Sequence, residues 1–261
     1  MLRIKSYLIA VVLLVAFCSG GSAATNDPAP TFNAAGLAKL IEPVFASGMK
    51  KENIPGAVFI LVKDGKVIFA KGYGLADVSS ARHVDPETTI FPTASVTKMF
   101  TATGVMQLVD SGRLDLHADV NRYLISLRVP DTYPQPITIA HLLTHTSGLD
   151  ELPGRRVKTA EEIRPLHEFL ANRLVRVHPP GEMTSYSSYG MALAGLLLTE
   201  LSGESFENYL SAHIWQPLGM SRTFITVPAT QIKNLATAYE IDGGKPIAFP
   251  TKSIKRRKLR R

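Results

Sequence analysis

A single cysteine, Cys18, stands in the 261 residues, and it falls in an apolar stretch near the N-terminus. Removal of that stretch leaves a chain without thiols, which excludes cysteine nucleophiles and disulfides and suits an oxidising compartment. Long hydrophobic runs are lacking too. The run from Leu8 to Phe17 is too short to span a bilayer. It follows the basic start Met1-Leu2-Arg3-Ile4-Lys5 and precedes Ser22-Ala23-Ala24. Basic, apolar and small-residue regions in that order make residues 1–24 a secretory signal peptide cut after Ala24. Bulky Phe17 stands where lipid attachment at Cys18 wants a small residue, which speaks against a lipoprotein. The mature chain is therefore expected in the periplasm or outside the cell, with no transmembrane span.

Acidic residues are missing from both ends, so the net charge of +7 misleads. Setting aside Arg3, Lys5 and the seven Lys or Arg between Lys252 and Arg261 leaves 20 basic residues against 22 acidic ones. The body is near neutral. A basic run can bind nucleic acid or an anionic membrane; in an exported chain we read residues 241–261 as a solvated basic tail and expect no nucleic-acid partner. Residues 35–240 then form one globular unit, with 45% hydrophobic residues supplying one sizeable core and room for two lobes.

Within that unit a short amphipathic helix is expected over Leu37 to Lys51. Ala57 to Val62 and Lys66 to Lys71, joined by Asp64-Gly65, form a β-hairpin. The first strand is apolar on both faces and should be covered on both. Gly72-Tyr73-Gly74-Leu75-Ala76-Asp77 follows as a loop. After Gly112 no convincing long strand is found to pair with the hairpin. Phe224 to Val227 and Ala236 to Ile241 come nearest.

The segment from Phe91 to Gly112 carries the chemistry. Met99, Val105, Met106, Leu108 and Val109 recur at helical spacing behind Pro92, which predicts a buried helix with Ser95 at its N-terminus. Ser95 and Lys98 are three apart and share a face, so the amine can take the serine proton. A serine at a helix start is also a common cap. His141 and His145 are spaced i, i+4 on a second short helix, as metal ligands can be. No glutamate follows His141 in the zinc-protease manner and no third ligand is evident, so both are read as structural. Tyr186 precedes a helix running through Leu193 and Leu201 to Gly203. Its phenol is either a packing group with a wet hydroxyl or, lowered in pKa by a nearby lysine, a proton carrier for Ser95.

Five stretches together resemble the serine β-lactamase and penicillin-binding protein superfamily, nearest its class C-like branch of β-lactamases, esterases and D-Ala-D-Ala carboxypeptidases. They are Gly72 to Asp77, Ala94 to Lys98, His141 to Leu149, Pro180-Gly181 with Tyr186-Ser187-Ser188, and Pro217 to Met220. The resemblance implies an α+β, β-lactamase/transpeptidase-like fold, with an antiparallel sheet flanked by helices plus a helical lobe. It implies no cofactor and a small-molecule or peptidoglycan-derived substrate. Ser95 would be the acylated nucleophile, Lys98 its base or base partner, and Tyr186 the proton shuttle. The Ser95 N–H would supply half of an oxyanion hole.

Two departures stand out. Ser188 replaces the amide-bearing Asn of the family's second motif, a substrate-binding position, which favours simple esters over β-lactams. The third motif, a Lys- or His-containing strand normally well past Pro217 to Met220, is not found, and with it go flanking strands and the second oxyanion donor. On that basis the chain is expected to be poorly soluble or molten and to hydrolyse weakly, since losing one oxyanion donor costs on the order of 10² to 10³ in rate. The alternative reading is an inactive fragment or a non-catalytic binding relative.

Overall fold

The computed structural model describes residues 34–151 and 163–248; the expected signal peptide at residues 1–24 and the basic run 252–261 lie outside the described residues. Helix α1 (Ala34–Glu52) lies across a hairpin made of β1 (Gly56–Lys63) and β2 (Lys66–Asp77). Phe45 of α1 stacks on Tyr73 of β2 at 4.3 Å and meets Phe59 of β1 edge-on at 5.7 Å. Glu42 pairs with Lys71 on the same side. At the turn, Asp64 and Gly65 both take positive φ (50° and 71°), the backbone a two-residue hairpin turn requires.

The stretch Gly72 to Asp77 is strand, not the expected loop. It continues β2 beside β1, with Gly74 opposite Gly56 and Gly72 opposite Val58, then pairs with β3 (Arg82–His83). Glycine suggested a loop, yet the strand needs it. A Cβ on Gly72 would sit 2.2 Å from the Val84 carbonyl oxygen. The expectation that β1 is covered on both faces also fails. Its burial is nowhere complete, and Ile60 and Val62 are 47% and 56% exposed. In the order β1-β2-β3 it is an outer strand, and α1 shields one face.

From β3 the chain passes Ile90, bridged in parallel to Leu235, and enters a 3₁₀ turn, Ala94–Val96, that feeds α2 (Thr97–Asp110). The helix is only half buried. Thr101, Gly104, Val105 and Leu108 face inward, whereas Met99 and Met106 are exposed. α3 (Ile139–Leu143) and α4 (Leu166–Ala171) precede the central helix α5 (Ser188–Ser202), whose residues from Tyr189 to Leu198 are nearly all buried. A helix apolar on most sides belongs inside a bundle. Gly203, at φ +75°, ends it where the sequence placed its stop. α6 (Phe206–Leu210) and a π turn, Ser211–Trp215, close the lobe. α2 comes very near α5, because a Cβ on Gly104 would lie 2.8 Å from the Leu198 side chain.

The main core gathers Val105, Leu108, Ile137, Ile139, Leu142 and Leu193 with their neighbours, all from the helical part of the chain. On the sheet side only Ala76, Val84 and Ala236 form a buried cluster. Phe224 to Val227 is not strand. The second candidate is strand only from Tyr239, as β4 (Tyr239–Asp242), which pairs with β5 (Lys245–Ala248) across Gly243-Gly244. That hairpin straddles residue 240, where the sequence reading closed the unit.

Gly148 takes φ +71°, and a Cβ there would lie 2.1 Å from the His178 carbonyl oxygen. Gly148→Ala is expected to destabilise by on the order of 3 kcal/mol, from strain and clash together. Gly112, also at φ +71° but with nothing within 4 Å, should lose only about 1 kcal/mol as alanine. Urea unfolding of the two variants measures the contrast.

Candidate active site

Ser95 sits in the middle of the 3₁₀ turn, and the residue before it, Ala94, takes φ +45°. A non-glycine residue in that region costs roughly 1–2 kcal/mol, and the turn it makes presents Ser95 to solvent at the head of α2. One turn on, Lys98 donates from Nζ to Ser95 Oγ at 3.1 Å. The Tyr186 hydroxyl lies 2.8 Å from the same Oγ. Lys98 Nζ stands 4.9 Å from the centre of the Tyr186 ring. The serine hydroxyl is thus held between an amine and a phenol.

Tyr186 is fixed by its neighbours on both sides. The Ser185 N–H donates to the His145 carbonyl at 2.8 Å, and the Ser187 N–H donates to His145 Nδ1 at 3.2 Å. Ser187 is also the cap of α5, its hydroxyl accepting from the Gly190 N–H at 3.1 Å. The His145 ring rests against the phenol ring with centroids 4.7 Å apart. Ser188, first residue of α5, donates its N–H to Glu151 Oε2 at 2.5 Å, and its side chain helps to hold the phenol's pKa down.

These contacts set the acidity of the site. Burial pushes the Tyr186 phenol up, but the hydrogen bonds to Lys98, Ser95 and Ser188 and the charge of Lys98 outweigh it and leave the phenol below the ordinary tyrosine value. Burial, reinforced by the Lys98 charge, holds His145 below the ordinary imidazole value despite the nearby carboxylate of Glu151. A neutral His145 is also what accepts the Ser187 N–H at Nδ1.

The two histidines part company. His141 closes a capping box with Thr138 at the start of α3, its Nδ1 accepting the Thr138 N–H at 3.2 Å. The helix ends at Leu143, so His145, at φ +58°, is not on it, contrary to the helical spacing read from the sequence. Among the described residues no three His, Cys, Asp or Glu gather as a metal site. All four residues singled out from the sequence, Ser95, Lys98, Tyr186 and Ser188, meet at one place. His145 and Glu151 were not expected there. His145 stood in the stretch His141 to Leu149 that carried the resemblance but was read as structural, and Glu151, three residues past Gly148, left no signal, since a side chain that accepts one backbone N–H leaves no spacing pattern.

The Beta-lactamase family model matches residues 41–256. The chain belongs to that family. "Protein flp" of Staphylococcus aureus (strain N315) is 30% identical over 215 residues, which take in 79% of this chain and 42% of flp. Among solved structures, the octameric penicillin-binding protein homologue from Pyrococcus abyssi is 29% identical with a TM-score of 0.71, over 82% of this chain and 50% of that one. A class C β-lactamase is 26% identical with a TM-score of 0.69, over 85% and 59% respectively. The chain spans about half the length of the curated relatives it matches. The fold is β-lactamase/transpeptidase-like, mixed α and β, as the resemblance implied.

Acid should weaken this region. Free histidine titrates near 6.5, and both His141 and His145 lie lower when folded, burial being the first cause for each. In the interval the unfolded chain binds the extra protons, so stability is complete above about pH 6.5 and falls as pH drops below it. Unfolding midpoints in urea should decline from pH 7.5 to pH 5, and His145→Gln should flatten that decline. An equal slope in both proteins would contradict the assignment.

Proposed function

We propose that this family member is an exported serine hydrolase that works through an acyl-enzyme on ester, β-lactam or D-Ala-type peptide substrates. The observation that carries it is Ser95 Oγ held at 2.8 Å from the Tyr186 hydroxyl and 3.1 Å from Lys98 Nζ. Two proton-handling groups within hydrogen-bond reach of one hydroxyl answer the need of a weak nucleophile. Ser95 Oγ bonds to the carbonyl carbon as its proton passes to the Lys98–Tyr186 pair. The pair returns that proton to the leaving alkoxide or amine as its bond to carbon breaks. Water then adds to the acyl-Ser95 ester, gives one proton to the same pair and releases the acid, and Ser95 regains its hydrogen. Every step is acid–base and nucleophilic, so the residues present suffice without a cofactor.

Tyr186 suits the shuttle role because its lowered pKa brings proton release closer to the operating range. The Ser95 N–H, at the head of α2, supplies one oxyanion donor in this reading. Ser188 donates or accepts through a single hydroxyl where an asparagine would offer an amide fork. Simple esters, which carry no acylamino group to be held, are therefore favoured over β-lactams. Export to the periplasm or medium rests on the leader at residues 1–24, and among the described residues no helix is long and apolar enough to cross a membrane.

A fluorophosphonate probe should add one mass increment to the protein and none to Ser95→Ala. Equal labelling of both would remove Ser95 from the mechanism. Tyr186→Phe should retain the fold and lower ester turnover by about 10² to 10⁴, read from steady-state rates beside a thermal melt. On substrate choice, a p-nitrophenyl ester should be cleaved with a higher kcat/KM than nitrocefin. The reverse order would count against the role given to Ser188.

A further inference from the structure

Ser95 opens onto a cavity of about 420 Å³, most of whose wall the chemistry above does not use. That size falls within the range of about 300 to 1,000 Å³ typical of small-molecule sites. The cavity runs between α2 and α5. Lys98 and Thr101 border it from α2. From α5 come Ser188, Met191, Ala192, Gly195, Leu196 and Thr199, whose spacing places them along one face of the helix. Phe206 and Leu166 complete the wall. From Ser188 to Thr199 the helix advances about 16 Å, so the groove is long rather than round.

Its polarity is graded along that length. Ser95, Lys98 and Ser188 stand together at one end. Further in, the wall is thioether, methyl, isobutyl and phenyl. Of the three lining threonines, Thr97 stands beside Ser95 and Lys98 at the polar end, and the other two do not break this pattern, since the Thr199 hydroxyl donates to the Leu196 carbonyl of its own helix at 2.7 Å and that of Thr101 is directed to the Thr97 carbonyl at 3.5 Å. Both hydroxyls turn back to their helices. Gly195 keeps the channel open at mid-length, where a Cβ would reach to 3.4 Å from the Phe206 ring and 3.8 Å from the Thr101 methyl.

We propose that this groove is the acyl subsite of the Ser95 hydrolase: it takes the linear, medium-length hydrocarbon chain of an aliphatic ester, with the ester carbonyl at Ser95. The inference rests on the hydrolase reading and sharpens its substrate class. A polar reacting end beside polar side chains and an unbranched apolar remainder match the groove's two regions. A peptidoglycan stem peptide would bury amide groups there without partners, at a cost.

The test is a series of p-nitrophenyl esters from acetate to dodecanoate on the full chain, with calorimetric binding of free decanoate and acetate to Ser95→Ala. Burial of each methylene should raise kcat/KM by about fourfold until the groove is filled. Gly195→Ala adds one methyl at an ordinary contact distance and improves the helix propensity of α5. It should lower the octanoate-to-acetate ratio of kcat/KM by about fourfold with no fall in melting temperature, and Ala192→Leu should lower that ratio further. Ser95→Ala should bind decanoate more tightly than acetate. A chain-length-independent kcat/KM together with Ser95-dependent acetate hydrolysis would overturn the subsite and leave the hydrolase standing. Chain-length-dependent binding of decanoate with no Ser95-dependent turnover or labelling would overturn the hydrolase and the acyl-subsite role with it, leaving a site for aliphatic carboxylates.

Discussion

The close approach of α2 to α5 is what the rest of the site depends on. Gly104 removes a side chain that would collide with Leu198, and the two helices can then start side by side. One start carries Ser95 and Lys98, the other carries Tyr186 just ahead of its capping residue Ser187. A hydrogen bond of 2.8 Å between Ser95 and Tyr186 spans the gap, and it exists because two well-packed helices aim their N-termini at the same place. Sites built on helix ends inherit the rigidity of the core beneath them, which is the condition for holding reacting groups to a fraction of an ångström.

That geometry also decides the electrostatics. Lys98 reaches both the serine hydroxyl and the face of the phenol, so a single cation biases two acids at once. It favours the phenolate over the phenol and disfavours protonation of His145. The histidine is then kept as an acceptor for the Ser187 N–H, and this bond orients the residue that follows Tyr186. Charge at Lys98 and position at Tyr186 are therefore linked through His145, although His145 hydrogen-bonds to neither Ser95 nor Lys98.

Ser95, Lys98 and Tyr186 could be read in the sequence because each sits at a helix boundary, where spacing and caps leave a local imprint. Ser95 to Lys98 is one turn, and Tyr186 stands before a helix whose stop at Gly203 is plain. The support around them was not legible. His145 acts through one ring nitrogen and a positive φ, and Glu151 through one carboxylate oxygen, features set by tertiary position alone. The glycines of residues 72–77 misled in a different way: they serve close backbone approach within a strand, while composition by itself points to a loop. The apolar pattern of β1 misled as well, since a strand apolar on both faces is in this structure an outer strand with Ile60 and Val62 open to solvent.

The distribution of buried side chains bears on how far the site depends on the sheet. Among the described residues the largest side chains with under 2% exposure lie between Val105 and Leu210, while α1 and the hairpin add only the large side chains of Leu37 and Phe69, at 6% and 8%. The sheet-side cluster is Ala76, Val84 and Ala236, with Val58 and Phe91 packed against it. Ser95, Lys98, Tyr186 and Ser188 are all attached to the larger core, so their arrangement draws little support from β1 and β2. The lobe buries α5 with its own helices. What joins the two parts is the path through Ile90, whose N–H donates to Asn234 and whose carbonyl accepts from Ala236 at 2.9 and 2.8 Å. Thr237 then donates to Ala76 of β2 at 2.8 Å. The segment that delivers Ser95 to α2 is thus clamped against residues 234–237. Strain at Ala94 has an anchor on each side, α2 after it and this bridge before it, and a strained residue persists only where its surroundings hold it from both directions.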